Sequence, residues 1–439
     1  MPRPPRIFWI LLLAGALLRI AAIHLRQEGV LYRAPDEDEF FMIAQSIAHG
    51  DGFALHGVPT AYRDMLLPVV TAGTIKLFGG SAMPMLYMQL ALSLASAYFL
   101  YLLGRRRFSD KAALWMAAIW LFYPAAILLN AMLLTETLFV FLWLLAMVLY
   151  DRLEDSDYAL KWAARLGVTL GFVLLSRQVG AVLLVAILIY IVLMHYETVS
   201  QRHYKAAAVI LGMCTLVVLP WMIRNARTVN AFSLNTNGGM NMFIGYNAEA
   251  TGGYKFDPDQ ERLLPPPAPT EGETDRAIAR TAWRYLREHP SAELKLWPRK
   301  FAFLWSTDAT LWIHYLPPEG PPHIADRLRK VPILWLLWTS VPYMLLVCFG
   351  VSGYYLVRHF ATRGLFILQV ALAIVAIFIS HGASRYHLPL MPAMVVGAGA
   401  LSAPNVWNCA PLWRRLFLLF TLGMFGGLWL AEAMTIAGV

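Results

Sequence analysis

Cysteine and charge are both scarce in this chain. Three cysteines occur in 439 residues. Cys214 and Cys348 lie inside apolar runs and Cys409 near a loop, which excludes a disulfide framework and any cysteine-based metal spacing. Only 14% of residues are charged and 59% are hydrophobic, whereas soluble chains average about 25% and about 45–50%. A soluble globular protein is therefore excluded. No soluble domain is expected after the last apolar run, and no short-period repeat is present. The net charge of +9 does not indicate a nucleic-acid partner. The basic residues fall in short loops between apolar segments, as expected for cytoplasmic loops of a membrane protein.

What remains is apolar and aromatic. The mean hydropathy is +0.55, and the pattern predicts an all-α polytopic membrane protein of about eleven spans. The first apolar run, 7–25, follows Arg3 and Arg6 and lacks a convincing cleavage site, so it reads as a retained signal anchor. Arg19 falls inside it and is expected to reach towards the outer interface. A short amphipathic helix over 38–49 and a juxtamembrane helix over 65–78 follow. The next spans are expected at 82–103, 112–129, 133–150, 162–175, 179–194 and 206–223. The cluster Arg105, Arg106, Arg107 and Lys111 marks a cytoplasmic loop. Residues 301–316 are aromatic and short and are read as interfacial, which keeps Arg358, Arg363, Arg414 and Arg415 inside. The last spans are 331–357, 365–380, 388–402 and 416–432. Three units result: a transmembrane module, 1–223, with its first outer loop at 26–81; a large outer loop, 224–330, with a helix expected over 274–289; and C-terminal spans, 331–439.

The conspicuous exception to the scarcity of charge is Asp36-Glu37-Asp38-Glu39 in the first outer loop. Ionisable groups near hydrocarbon are costly, so the cluster reads either as a solvated acidic loop or as an active site. The expected topology puts further polar groups on the same side: Arg63, Asp64, Glu136, Arg177, Arg224, Asn225, His381, Arg385, Tyr386 and His387. Each alone is explained as a charge at a membrane edge. Together they set carboxylates opposite arginines, an arrangement suited to an anionic lipid headgroup and a nucleophile to be deprotonated.

Several stretches resemble one family. Pro35-Asp36-Glu37 with Phe40, Ala44 and Gly50-Asp51-Gly52 resembles the first-loop Asp-Glu motif of the membrane-embedded GT-C glycosyltransferases. The similarity is to the bacterial protein O-mannosyltransferases and the lipid A aminoarabinose transferases. Ala61-Tyr62-Arg63 through Leu67-Pro68, then Lys76 to Gly79, resembles the segment closing that loop. Leu134 to Phe139 resembles the start of the fourth span, Trp221 to Asn225 the beginning of the large outer loop, and Ser384 to Pro389 the late Arg-Tyr-x-x-Pro turn. One departure is Arg63-Asp64-Met65, with its extra carboxylate, where many relatives carry Arg-x-Pro before the juxtamembrane helix.

The resemblance implies transfer of a hexose or pentose from a polyprenyl-phosphate donor to a lipid, glycan or protein acceptor, with inversion, at the outer face of the cytoplasmic membrane. It implies Asp36 as general base, with Glu37 orienting Asp36 or a neighbouring helix. The leaving phosphate needs cations, and arginine suits it by its two-pronged geometry. Arg385, Arg177 and Arg224, then Arg63, are the candidates, with Tyr386 as a donor. Glu136, Asp64 and His387 are assigned to substrate or acceptor. No cofactor is expected. Asp36-x-Asp38 has the spacing by which nucleotide-sugar enzymes hold a divalent ion, and that alternative stays open. The rival reading is a polytopic transporter or lipid-linked-sugar flippase, in which polar sites lie nearer the midplane.

Overall fold

The protein is described by a computed structural model over residues 4–26, 35–193, 200–255, 257–316, 324–358, 360, 362–403 and 406–438. Arg3, His195 and the loop stretches 27–34 and 317–323 lie outside the described residues. The first half contains α1 (Arg6–Leu25), α2 (Pro35–His49), the hairpin β1 (Ala54–Leu55) and β2 (Val58–Pro59), α3 (Leu66–Phe78), α4 (Met83–Arg107), α5 (Asp110–Phe122), α6 (Pro124–Asn130), α7 (Glu136–Asp155), α8 (Leu160–Ser176), α9 (Ala181–Leu193) and α10 (Gln201–Val229). The second half contains α11 (Gly238–Gly245), α12 (Pro258–Glu261), α13 (Glu271–Glu288), α14 (Pro290–Leu304), α15 (Ile324–Leu328), α16 (Ile333–Leu356), α17 (Arg363–Phe378), α18 (Met391–Ala400), α19 (Val406–Cys409) and α20 (Leu412–Ala437). Among the described residues the sheet is a single two-residue ladder, Ala54 opposite Pro59 and Leu55 opposite Val58.

The all-helical membrane architecture expected from hydropathy is present. Among the described residues five helices, α1, α4, α10, α16 and α20, are long and apolar enough to cross a membrane, and α5 with α6 makes a sixth if the bent pair is one span. The remaining expected spans fall on α7, α8, α9, α17 and α18, which are shorter or more charged. The aromatic stretch 301–316 is not one helix. α14 ends at Leu304, a 3₁₀ turn runs over Asp308–Tyr315, and Trp305, Trp312 and Tyr315 are buried in the main core.

The expected straight span over 112–129 is broken by 51° between α5 and α6. The cause is Pro124. Its ring pushes Tyr123 into an extended conformation (φ −69°, ψ 115°), and it has no N–H to give the carbonyl of Trp120 four residues back. The missing donor is Arg19. Rather than reaching outward, Arg19 is fully buried. It donates to Trp120 O (3.2 Å), Leu121 O (2.7 Å), Gly15 O (3.1 Å) and Ser93 Oγ (2.9 Å). The guanidinium supplies five N–H groups in a fixed fork, and four acceptors lie within the protein, so burial replaces snorkelling. The approach requires Gly15, because a Cβ there would stand 2.8 Å from Leu121 Cδ2.

Two close pairings frame the rest. α8 packs along α10, and α16 along α18. At the second, a Cβ on Gly353 would lie 1.7 Å from the carbonyl oxygen of Gly397, so small residues set the approach. α7 is enclosed between α4 and α8, with Glu136 through Val140 all buried. Its N-terminus therefore opens inside the protein, which makes the charge on Glu136 consequential.

Replacing Arg19 with Leu leaves two backbone carbonyls at the break without donors, each costing about 1–3 kcal/mol. We expect a large fall in the melting temperature of the purified protein. Arg19→Lys, a point charge that cannot reach four acceptors, should restore only part of it.

Candidate functional site

The four acids of the first loop form the first turns of α2, where carboxylates favour the positive helix end. At 100° per residue they diverge, so each meets a different environment. Asp36 and Glu39, three apart, share a face and both take Arg63: Nη2 lies 2.8 Å from Asp36 Oδ1 and Nε 2.6 Å from Glu39 Oε2. Asp38 is exposed, so the Asp36-x-Asp38 pair does not converge. Among the described residues no three His, Cys, Asp or Glu are grouped to hold a metal.

Glu37 faces inward and is 3% exposed. Its Oε2 accepts from Arg26 Nη1 (2.7 Å) and from the backbone N–H of Leu133 (2.7 Å). These contacts fasten α2 to the turn between α6 and α7.

Asp36 is bracketed. Its second oxygen, Oδ2, accepts from Arg385 Nη1 at 3.0 Å. Burial works against its ionisation, but the guanidiniums of Arg385 and Arg63 outweigh that and bring its carboxyl down to about 2. Arg385 comes from the 3₁₀ turn Ser384–Leu390, nearly the whole chain away in sequence. It also lies 3.4 Å, through Nε, from Glu136 Oε1, and Arg177 Nη1 lies 2.7 Å from the same oxygen. These are contacts of charge. Neither carboxylate oxygen of Glu136 receives a directed hydrogen bond among the described residues, although its side chain is only 1% exposed. Arg177 instead donates from Nη1 to Thr135 Oγ1 (3.3 Å). Two guanidiniums thus balance the charge of this buried carboxylate.

Asp64 accepts from Asn235 Nδ2 at 2.8 Å. Burial raises its carboxyl to about 6, against the pull of Arg177 and the Asn235 hydrogen bond.

Other expected members are held elsewhere. Arg224 donates to Thr60 O (2.6 Å) and Phe53 O (2.9 Å) and lies over Trp221. It braces the first loop and does not join the cluster, because two backbone carbonyls of the hairpin end hold it. His387 is buried between Leu304 O (2.8 Å) and Asp308 Oδ1 (2.9 Å) and stacks on Tyr343, a tie between the 3₁₀ turns. Tyr386 meets His381 Nε2 at 3.1 Å. His381 Nδ1 faces the carbonyl of Asn241 (3.4 Å), which can only accept. The tautomer is thereby fixed, and Tyr386 donates. In the large loop, Tyr246 donates to Phe378 O (2.6 Å) and Asn247 to Phe243 O (2.8 Å), both structural contacts. Tyr254 is exposed beside His381 and feels Asp36, Arg385 and Arg63.

Glu39 entered the sequence reading only as a member of the acidic cluster, with no role of its own, and a second contributor, His314, did not enter it at all. Burial first, then the charge of Arg385, brings the His314 imidazole down to about 4, so it is neutral near pH 7. It has no hydrogen-bond partner among the described residues, and nothing in Leu311–Leu316 marks it. A third, Glu271, organises the site from outside. It opens α13, which starts three residues before the helix expected at 274 because Thr270 caps it, accepting from Glu273 N. Its carboxylate accepts from Thr60 Oγ1 (2.6 Å), Ala61 N (2.8 Å) and Thr236 Oγ1, joining the large loop to the residues just before Arg63.

Fold and site together define an all-helical, multi-pass membrane protein whose carboxylates and guanidiniums meet at one set of helix ends. Residues 64–223 match the family model described as dolichyl-phosphate-mannose-protein mannosyltransferase. That match includes Asp64, Glu136 and Arg177, and it agrees with the GT-C glycosyltransferase resemblance carried by the motifs. No curated protein matches the chain. Among solved structures, the Archaeoglobus fulgidus oligosaccharyltransferase in its apo form is 13% identical, with 94% of this chain and 54% of that chain covered and a TM-score of 0.49. ArnT from Cupriavidus metallidurans bound to undecaprenyl phosphate is 11% identical, with 90% and 78% covered and a TM-score of 0.46. The chain spans about half the length of the oligosaccharyltransferase, 54%.

Asp64 gives a pH test. Below the ordinary carboxylate pKa of about 3.9 it is protonated folded or unfolded. Between that value and about 6 the unfolded chain releases this proton while the folded protein still holds it, so stability falls across that interval and is level above it. Asp64→Asn should therefore raise stability at pH 7.5 by about 2 kcal/mol and leave it nearly unchanged at pH 4, measured by thermal unfolding in detergent. Equal effects at both pH values would mean that Asp64 is not buried in its protonated form.

Proposed function

We propose that this protein transfers a sugar from a polyprenyl-phosphate donor to a hydroxyl-bearing acceptor at the outer face of the cytoplasmic membrane, with inversion at the anomeric carbon. The observation that carries this reading is the double bracket on Asp36, a carboxylate whose two oxygens are each met by a guanidinium, Arg63 on one side and Arg385 on the other. The family match over 64–223 supports it.

The chemistry follows from the charges. The acceptor hydroxyl attacks the anomeric carbon and gives its proton to Asp36. The new glycosidic C–O bond forms as the bond from that carbon to the phosphate oxygen breaks. The electron pair leaves on the phosphate, which departs as polyprenyl phosphate. Arg385 and Arg63 meet the growing charge on the leaving oxygen, where fixed cations contribute most. Glu136, with open acceptor capacity, receives a sugar or acceptor hydroxyl. His314, neutral, donates or accepts a hydrogen bond beside it.

A carboxylate near pKa 2 is a poor base at neutral pH. The donor itself corrects this. A lipid phosphate drawn to Arg385 competes with Asp36 for that guanidinium, removing part of the positive field that depresses the carboxyl. Asp36 then gains basicity as the donor arrives. In this reading the N-terminus is cytoplasmic, and no metal or cofactor takes part.

Purified protein in detergent, offered polyprenyl-phosphate sugars with diphosphate-linked and nucleotide-sugar controls, should release polyprenyl phosphate from a monophosphate donor. Asp36→Asn should lower that release by about 10²–10⁴-fold, the contribution of a general base, without preventing folding. Turnover at the wild-type rate would remove Asp36 from the mechanism, and donor binding without turnover for any acceptor would favour a transporter. Arg385→Ala should weaken use of the donor more than Arg177→Ala, because Arg385 touches both carboxylates. The reverse order would move the phosphate to the Glu136–Arg177 side.

A further inference from the structure

α13 carries a charge pattern that neither the fold nor the proposed reaction uses. Its inner face is fixed. Ile278 and Ala282 pack with Phe243 and Tyr246, and Asp275 accepts from Gly239 N at 2.7 Å. Its outer face holds Arg276, Arg280, Trp283, Arg284 and Arg287, all exposed. The spacing places them on one side of the helix. Arginines four apart repel each other, yet among the described residues Arg280, Arg284 and Arg287 have no carboxylate partner. Arg276 donates to Asn230 O (2.6 Å), and Arg287 lies over the Trp283 ring at 5.7 Å. The face is a row of cations interleaved with one large aromatic.

α14 continues it after His289, exposing Leu294, Lys295, Trp297 and Arg299. Its level is set by contact. Trp297 stacks flat on Phe378, with ring centroids 5.1 Å apart and planes at 2°, and Lys300 Nζ donates to Phe378 O at 3.2 Å. Phe378 is the last residue of the apolar helix α17. α14 therefore sits where an apolar helix of the membrane domain ends, and on the end from which the chain runs into the turn bearing Arg385.

We propose that the exposed face of α13 and α14 docks on anionic phospholipid headgroups, at the same membrane surface on which the carboxylate–arginine site opens. A soluble polyanion would satisfy the arginines but leave Leu294 and Trp297 in water. The boundary of a bilayer takes both, phosphates for the guanidiniums and the interfacial layer for tryptophan. The docking would hold the large loop against the membrane from outside the site, and it does not depend on which reaction the site performs.

The test is hydrogen exchange of the full-length protein in nanodiscs of phosphatidylcholine, with and without phosphatidylglycerol. Amides of 276–288 should exchange more slowly in the anionic discs, and high salt should abolish the difference. Arg280→Gln and Arg284→Gln should each lower the protection about five-fold, while exchange in α10 stays unchanged as a check on folding. Equal exchange of wild-type α13 in the two discs would overturn the proposal. So would protection that appears only when soluble polyphosphate is added and ignores the lipid, which would assign the face to a polymer.

Discussion

A charge moved out of water must find its partner inside the protein, and much of this structure follows from how each buried charge meets that demand. Arg19 finds carbonyls, Glu37 finds Arg26 and a backbone amide, and Asp36 finds two arginines. Glu136 finds cations but no directed hydrogen bond. The first two are held by partners within the scaffold. The last two each meet two guanidiniums: Arg63 and Arg385 at Asp36, and Arg177 and Arg385 at Glu136. The difference between scaffold and site lies in how completely each charge is satisfied.

Much of this was legible in the sequence. The scarcity of charge gave the membrane class, and the motifs placed Asp36, Arg63, Glu136, Arg177 and Arg385 together although they lie hundreds of residues apart. What sequence could not give was the allocation of partners. Arg224 and His387 have the residue types and positions of site members, but the first meets the carbonyls of Phe53 and Thr60 and the second meets Asp308. Such choices depend on carbonyl directions that no pattern records. His314 is the converse, a lone histidine in an aromatic run whose importance comes only from what the 3₁₀ turn carries it towards. Arg19 was misjudged for a related reason. Snorkelling is the default for an isolated helix, and the acceptors that override it come from a proline-induced break a hundred residues later.

The helix breaks also show how a mostly regular protein makes room for irregular chemistry. Pro124 frees backbone groups that Arg19 then satisfies. The 3₁₀ turns at 308–315 and 384–390 carry His314 and Arg385 on backbone too tightly wound for an α-helix, so each side chain projects at an angle a regular helix would not supply. These turns are tied to each other through Asp308 and His387, so the two irregular walls share one support.

Glu271 has a consequence for how the protein comes apart. Its carboxylate joins the start of α13 to Thr60, Ala61 and Thr236, so the large loop is fastened to the first loop at the residues that present Arg63. Fraying of α13 would withdraw the acceptor for a backbone amide next to the site, and disorder in the first loop would remove two of the donors that hold Glu271 at the start of α13. The two loops, whose joined residues lie 211 positions apart in sequence, are coupled through this one carboxylate, so what loosens either loop acts on the segment that presents Arg63.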